Sequence, residues 1–101
     1  MWLFGKKRRI EAPAHRAQRR EAIILYGASW CGDCRRARRV FESVGVDYVY
    51  IDIDLDKEAE QYVFEINQGM RIMPTITFPD DTILAEPRDD ILLKKLREFK
   101  P

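Results

Sequence analysis

Long apolar runs are missing from this sequence. No stretch approaches the roughly 20 apolar residues that a membrane-spanning helix needs. A secretory leader pattern is missing as well. The opening Trp2-Leu3-Phe4 is short and stands ahead of Lys6-Lys7-Arg8-Arg9, the reverse of a leader's order, so a cytoplasmic location is the expectation. The chain has two cysteines and one histidine. A closed tetrahedral zinc site needs four ligands, so one chain cannot supply one from Cys and His alone. Internal repeats and low-complexity runs are also absent. At 101 residues there is room for one domain, and a core of that size needs no disulfide staple.

The small net charge of +1 hides an imbalance. Residues 1–20 hold seven Lys/Arg against one Glu, a balance of +6. The remainder holds eleven Lys/Arg against sixteen Asp/Glu, a balance of −5. Residues 1–20 therefore read as a basic arm, interrupted by Pro13, with His15 in it. A domain is expected over residues 21–101. The arm reads as a solvated tail with weak attraction to anionic surfaces. No aromatic residues interleave with its charges, so no nucleic-acid partner is expected.

From Ala22 the hydrophobic pattern sharpens. Ala22 to Tyr26 is a continuous apolar run ended by Gly27, the pattern of a buried central strand. A helix follows to Val44, with Cys34, Ala37, Val40, Phe41 and Val44 on one stripe and Gly45 as its C-terminal cap. Tyr48–Ile53 reads as a second strand. Asp54 or Asp56 caps a second helix, with Ala59, Tyr62, Val63 and Ile66 as its core stripe and Gly69 closing it. Thr75–Phe78 and Thr82–Ala85 form a hairpin about Asp80-Asp81. Asp89 and Asp90 are expected to cap a last helix whose core residues are Ile91, Leu92, Leu96 and Phe99. The fold class is α/β, in the order βαβαββα. The first two strands are expected to be parallel, in a four-stranded mixed sheet flanked by helices.

The chemistry lies in Cys31-Gly32-Asp33-Cys34, at the junction of the first strand and helix. A thiolate, not a thiol, is the nucleophile. A cysteine at a helix start faces unpaired backbone N–H groups and the positive end of the helix dipole, both of which favour the thiolate. Arg35 adds a positive charge one turn on, and Asp33 opposes it. A moderately activated Cys31 and a reducing couple are expected. Cys34 lies deeper on the apolar stripe, suited to resolving a mixed disulfide. Trp30 is placed to shield the sulfur and offer a flat contact surface. Arg36, Arg38 and Arg39 read chiefly as a solvated helix face, and Tyr26, Tyr48, Tyr50 and Tyr62 as core or sheet residues.

Trp30-Cys31-Gly32-Asp33-Cys34, the later Met73-Pro74-Thr75 step and the element order together resemble thioredoxin-fold proteins of the glutaredoxin type. Pro74 through Leu84, with Pro87 and Ile51-Asp52-Ile53-Asp54, is most similar to the mycoredoxin branch. The resemblance covers about residues 21–99. It implies a thiol–disulfide oxidoreductase in which Cys31 attacks and Cys34 resolves. Met73 and a cis Pro74 would contact the substrate backbone. From their own places beside Cys31, not from the resemblance, Trp30 and Arg35 are expected to bind substrate as well. Disulfide-containing proteins are the implied substrates and a low-molecular-weight thiol, mycothiol or glutathione, the reductant. No bound cofactor and no metal are implied, and a monomer is expected. Ala28 stands where glutathione-using members carry a basic residue, and the Gly pair before their last helix is missing. The alternative is a metal or iron–sulfur cluster carrier, or a redox-sensing adaptor, using the same Cys pair.

Overall fold

The computed structural model describes residues 21–100. The basic arm and His15 lie outside the described residues. The elements are β1 (Ile24–Gly27), α1 (Gly32–Val44), β2 (Val49–Asp52), α2 (Lys57–Ile66), β3 (Thr75–Thr77), β4 (Ile83–Ala85) and α3 (Asp89–Arg97). This is the expected βαβαββα order. The sheet runs β2-β1-β3-β4. β1 pairs parallel with β2 and antiparallel with β3, and β3 pairs antiparallel with β4. Among the described residues, no helix is long and apolar enough to cross a membrane.

β1 is central, and all four of its residues are buried. Successive strand residues face opposite sides, so its side chains divide between two cores. Leu25 joins Ala37, Phe41, Ile76, Phe78, Leu92 and Leu96, which places α1 and α3 together on one face. Ile24 and Tyr26 join Val49, Ile51, Ile53, Ala59 and Val63, which places α2 on the other. A strand buried on both faces must be continuously apolar, as Ile23 to Tyr26 is.

The helix ends follow local chemistry, with two differences from the sequence reading. Gly45 caps α1 as expected, at φ 72°. Of the two expected candidates, Asp56 caps α2 by accepting from the Ala59 N–H at 3.0 Å. Asn67 ends α2, and Gly69 lies two residues further on, at φ 87°, donating its N–H to the Phe64 carbonyl at 2.7 Å. Asp89 and Asp90 lie in the first turn of α3 rather than at its cap. The cap position is Arg88, which makes no side-chain cap bond. Both carboxylates find arginine partners instead. Ile91 also departs from the core reading: it is 45% exposed, whereas Leu92 and Leu96 are buried. At about 100° per residue, the stripe of Leu92, Leu96 and Phe99 leaves Ile91 to one side.

Candidate active site

Cys31 is the N-cap of α1, in extended backbone at φ −84° and ψ 113°. Its Sγ accepts the Cys34 backbone N–H at 3.1 Å. This is the bond that a capping Ser or Asp oxygen makes, here made by sulfur. The cap thus places the Cys31 sulfur at the N-terminal end of α1, among the first turn's backbone N–H groups. Cys31 is 8% exposed and Cys34 1%. Both are free cysteines, packed with Ala28 and Met73.

The two sulfurs are unequal. Burial, followed by the hydrogen bond to Cys31, pushes the Cys34 thiol up to about 12, with the negative charges of Cys31 and Asp33 acting the same way. Burial disfavours the charged form of any thiol, so Cys34 stays protonated at neutral pH. In the folded, reduced protein, iodoacetamide near neutral pH is therefore expected to modify Cys31 alone. Cys34 should become reactive only as the pH approaches about 12, or on unfolding. Mass mapping of the alkylated peptides checks this. Equal labelling of both cysteines in the folded protein would contradict it.

Beside Cys31 runs an open groove of about 490 Å³, lined by Trp30, Cys31, Gly32, Asp33, Arg71, Ile72, Met73 and Glu86. The Met73–Pro74 peptide is cis, and the Pro74 carbonyl accepts from the Glu86 N–H at 2.7 Å. Met73 is half-buried against the cysteines, and Pro74 is buried. Trp30 lines the groove and is 62% exposed. Its indole N–H donates to Asp54 Oδ2 at 2.8 Å, which fixes the ring as one rim of the groove.

Asp54 is the junction of a network that the sequence reading did not assemble. Arg71 Nη2 donates to Asp54 Oδ1 at 2.7 Å, and Arg71 Nε to Glu60 Oε2 at 2.7 Å. Arg71 Nη1 lies 4.0 Å from the Met73 sulfur. The hydrogen bonds from Arg71 and Trp30 hold the Asp54 carboxyl below the usual carboxylate range, and Arg71 does the same for Glu60. One carboxylate thus ties the loop before the cysteine motif to the loop before the cis proline. Sequence offers only a weak cue, since residues 54, 60 and 71 share no motif.

The arginines of α1 are mostly engaged within the chain. Arg35 Nη1 donates to the Ser29 carbonyl at 2.9 Å, and Arg35 is not among the residues lining the groove. Arg36 holds Asp33 at 2.8 Å and Asp89 at 3.1 Å. Arg38 donates to the Tyr48 hydroxyl at 3.1 Å and stacks 4.2 Å above the Tyr50 ring. Arg39 is exposed. Tyr26 and Tyr48 are buried, and Tyr50 and Tyr62 half-buried. Among the described residues, no group of three or more His, Cys, Asp or Glu is arranged to hold a metal ion.

A dithiol at the start of a helix, beside a cis proline and an open groove, can exchange disulfides. Comparison with known proteins agrees. The glutaredoxin family model matches residues 23–83. A provisionally named glutaredoxin of Mycobacterium tuberculosis is 33% identical over 75 residues, covering 74% of this chain and 89% of the relative. Mycoredoxin 1 of Corynebacterium glutamicum is 35% identical over 65 residues, covering 64% of this chain and 80% of the relative. Oxidised glutaredoxin 2 of Chlamydomonas reinhardtii superposes with a TM-score of 0.65 at 13% identity, over 88% of this chain and 92% of that one. That likeness shows the thioredoxin-like fold. The metal-carrier alternative is not favoured by any of these relatives. With its Cys-x-x-Cys pair at Cys31 and Cys34, the chain belongs to the glutaredoxin family and is a thiol–disulfide oxidoreductase.

Proposed function

We propose that Cys31 attacks mixed disulfides between proteins and a low-molecular-weight thiol, and that this thiol is mycothiol rather than glutathione. The supporting observation is that Arg71, which lines the groove, and the acidic residues at the start of α3 already have partners within the chain. Glutathione presents two carboxylates and an ammonium. Arg71, the one cation lining the groove among the described residues, is bound by Asp54 and Glu60. Asp89 and Asp90, at the start of α3, are bound by Arg36 and Arg88. Of the groove's ionised side chains, Asp33 and Glu86 outnumber Arg71. Mycothiol is an amide-linked cysteinyl sugar without carboxylate or ammonium, so it needs no ionic handle. The 35% identity to mycoredoxin 1 points the same way.

In this reading the Cys31 thiolate attacks the disulfide, forming a bond to one sulfur while the other leaves as a thiolate. Trp30, Met73 and Pro74 wall the bound chain, and Arg35 adds positive charge beside the motif. Cys34 resolves the Cys31 adduct when the substrate is a protein disulfide. Once Cys31 is in a mixed disulfide its charge is gone, and with it two of the influences that keep Cys34 protonated. The first step therefore prepares the second. The protein acts as a monomer in the cytoplasm, where a small-thiol pool keeps its dithiol reduced.

The test uses one carrier protein loaded either with mycothiol or with glutathione, each assayed with the matching free thiol as reductant. The expected kcat/KM for the mycothiol couple is higher by about tenfold, a transition-state difference of about 1.4 kcal/mol. Equal or faster turnover with glutathione would overturn the assignment.

A further inference from the structure

Gly27 is the last residue of β1, directly beneath the start of α1. A Cβ built on it would stand 2.7 Å from Cys34 Sγ, 3.2 Å from Cys34 Cβ and 3.2 Å from Leu25 Cδ2. Carbon and sulfur cannot approach so closely, since unstrained contacts begin near ~3.5 Å. The left-handed region does not explain this glycine: only Gly45 and Gly69 have positive φ among the described glycines. What Gly27 supplies is space.

Neither backbone can yield that space cheaply. The Gly27 carbonyl accepts the Ile53 N–H at 2.9 Å, and the residue is registered against Asp52 of β2. The Cys34 backbone is held in the first turn of α1, with its N–H on Cys31 Sγ. The mobile part is the Cys34 side chain, which is 1% exposed and packed with Ala28, Cys31 and Met73.

We propose that Gly27 is a positioning residue for the resolving step: its bare Cα is the seat that holds the Cys34 sulfur within reach of Cys31. This rests on the reading of Cys34 as the resolving thiol. In that step Cys34 gives up its thiol proton and its sulfur attacks the Cys31 sulfur. The Cys31–Cys34 bond forms, and the bond from Cys31 to the substrate breaks. The substrate sulfur leaves as a thiolate and takes up a proton. Two electrons have then passed from the dithiol to the original disulfide. A methyl group at position 27 displaces the attacking sulfur and leaves Cys31 lining the groove as before.

Dithiobis(nitrobenzoate) separates the two steps, because attack by Cys31 releases one coloured thiolate and resolution releases the second. In stopped flow, Gly27→Ala should keep the first phase near the wild-type rate and slow the second by about tenfold to a hundredfold, the cost of a misplaced reacting atom. A second phase at the wild-type rate would overturn the proposal. Cys34→Ser is the control for the underlying reading: if its second phase persists, the resolving role of Cys34 fails instead. Thermal unfolding of the reduced proteins gives an independent check. Gly27→Ala should lower the melting temperature in the wild type, with most of that loss absent in a Cys34→Ala background, where the sulfur it meets has been removed. An equal loss in both backgrounds would count against the seat.

Discussion

Cys31→Ser is expected to remove thiol–disulfide exchange, lowering turnover by roughly a thousandfold or more, as loss of a nucleophile does in other covalent catalysts. A serine hydroxyl can still cap α1, so the fold should survive; only the nucleophile is lost. Cys34→Ser should behave differently. Reduction of an intramolecular protein disulfide should fall by a comparable factor, because the adduct on Cys31 then has no internal thiol to resolve it. Reduction of a protein–mycothiol mixed disulfide should persist, since free thiol can resolve that adduct. Steady-state rates of both variants on both substrates read this out, and equal losses from the two substitutions on both substrates would contradict it.

The largest stability effect is expected at Phe41. This side chain is fully buried on α1, its ring centroid 4.4 Å from that of Tyr48, in the cluster that joins α1 and α3 to the sheet. Phe41→Ala removes that apolar surface from the core and leaves a cavity that rigid neighbours fill only in part. The expected cost is about 3–5 kcal/mol, a large share of a small domain's total stability. Ile91→Ala, at an exposed position on α3, should change stability by less than about 0.5 kcal/mol. Denaturant unfolding of the reduced proteins measures both. A Phe41 variant as stable as the Ile91 variant would mean that the core is not where the structure puts it.

The two substitutions also mark what could be read from the sequence. Phe41 sits three and four positions from its stripe partners, and that spacing is enough to identify a buried helix face. Ile91 is apolar too, yet a nine-residue helix offers little periodicity to separate it from Leu92. The continuous run ending at Tyr26 announces a strand covered on both faces, and the hairpin about Asp80-Asp81 is local, so the element order was recoverable. Cys31 and Cys34 were recoverable because their chemistry depends on near neighbours in the chain.

Long-range partners were not. Asp54 was an equally good helix cap on local grounds, but Arg71 and Trp30 compete for its carboxylate, and Asp56 is left to make the cap. Asp89 and Asp90 have the composition of capping residues, yet Arg36 and Arg88 claim them. The contact between Gly27 and Cys34 exists only because β1 and α1 meet at an angle that no spacing rule encodes.

The mechanism turns on Cys31 carrying the substrate covalently. Incubating Cys34→Ser protein with a protein–mycothiol mixed disulfide, without free thiol, should trap a covalent adduct that mass spectrometry of the intact chain and its peptides can locate. One adduct per chain is expected, joined to Cys31 and released by reductant. Absence of any adduct under conditions where the wild type turns over, or its location outside Cys31, would contradict it.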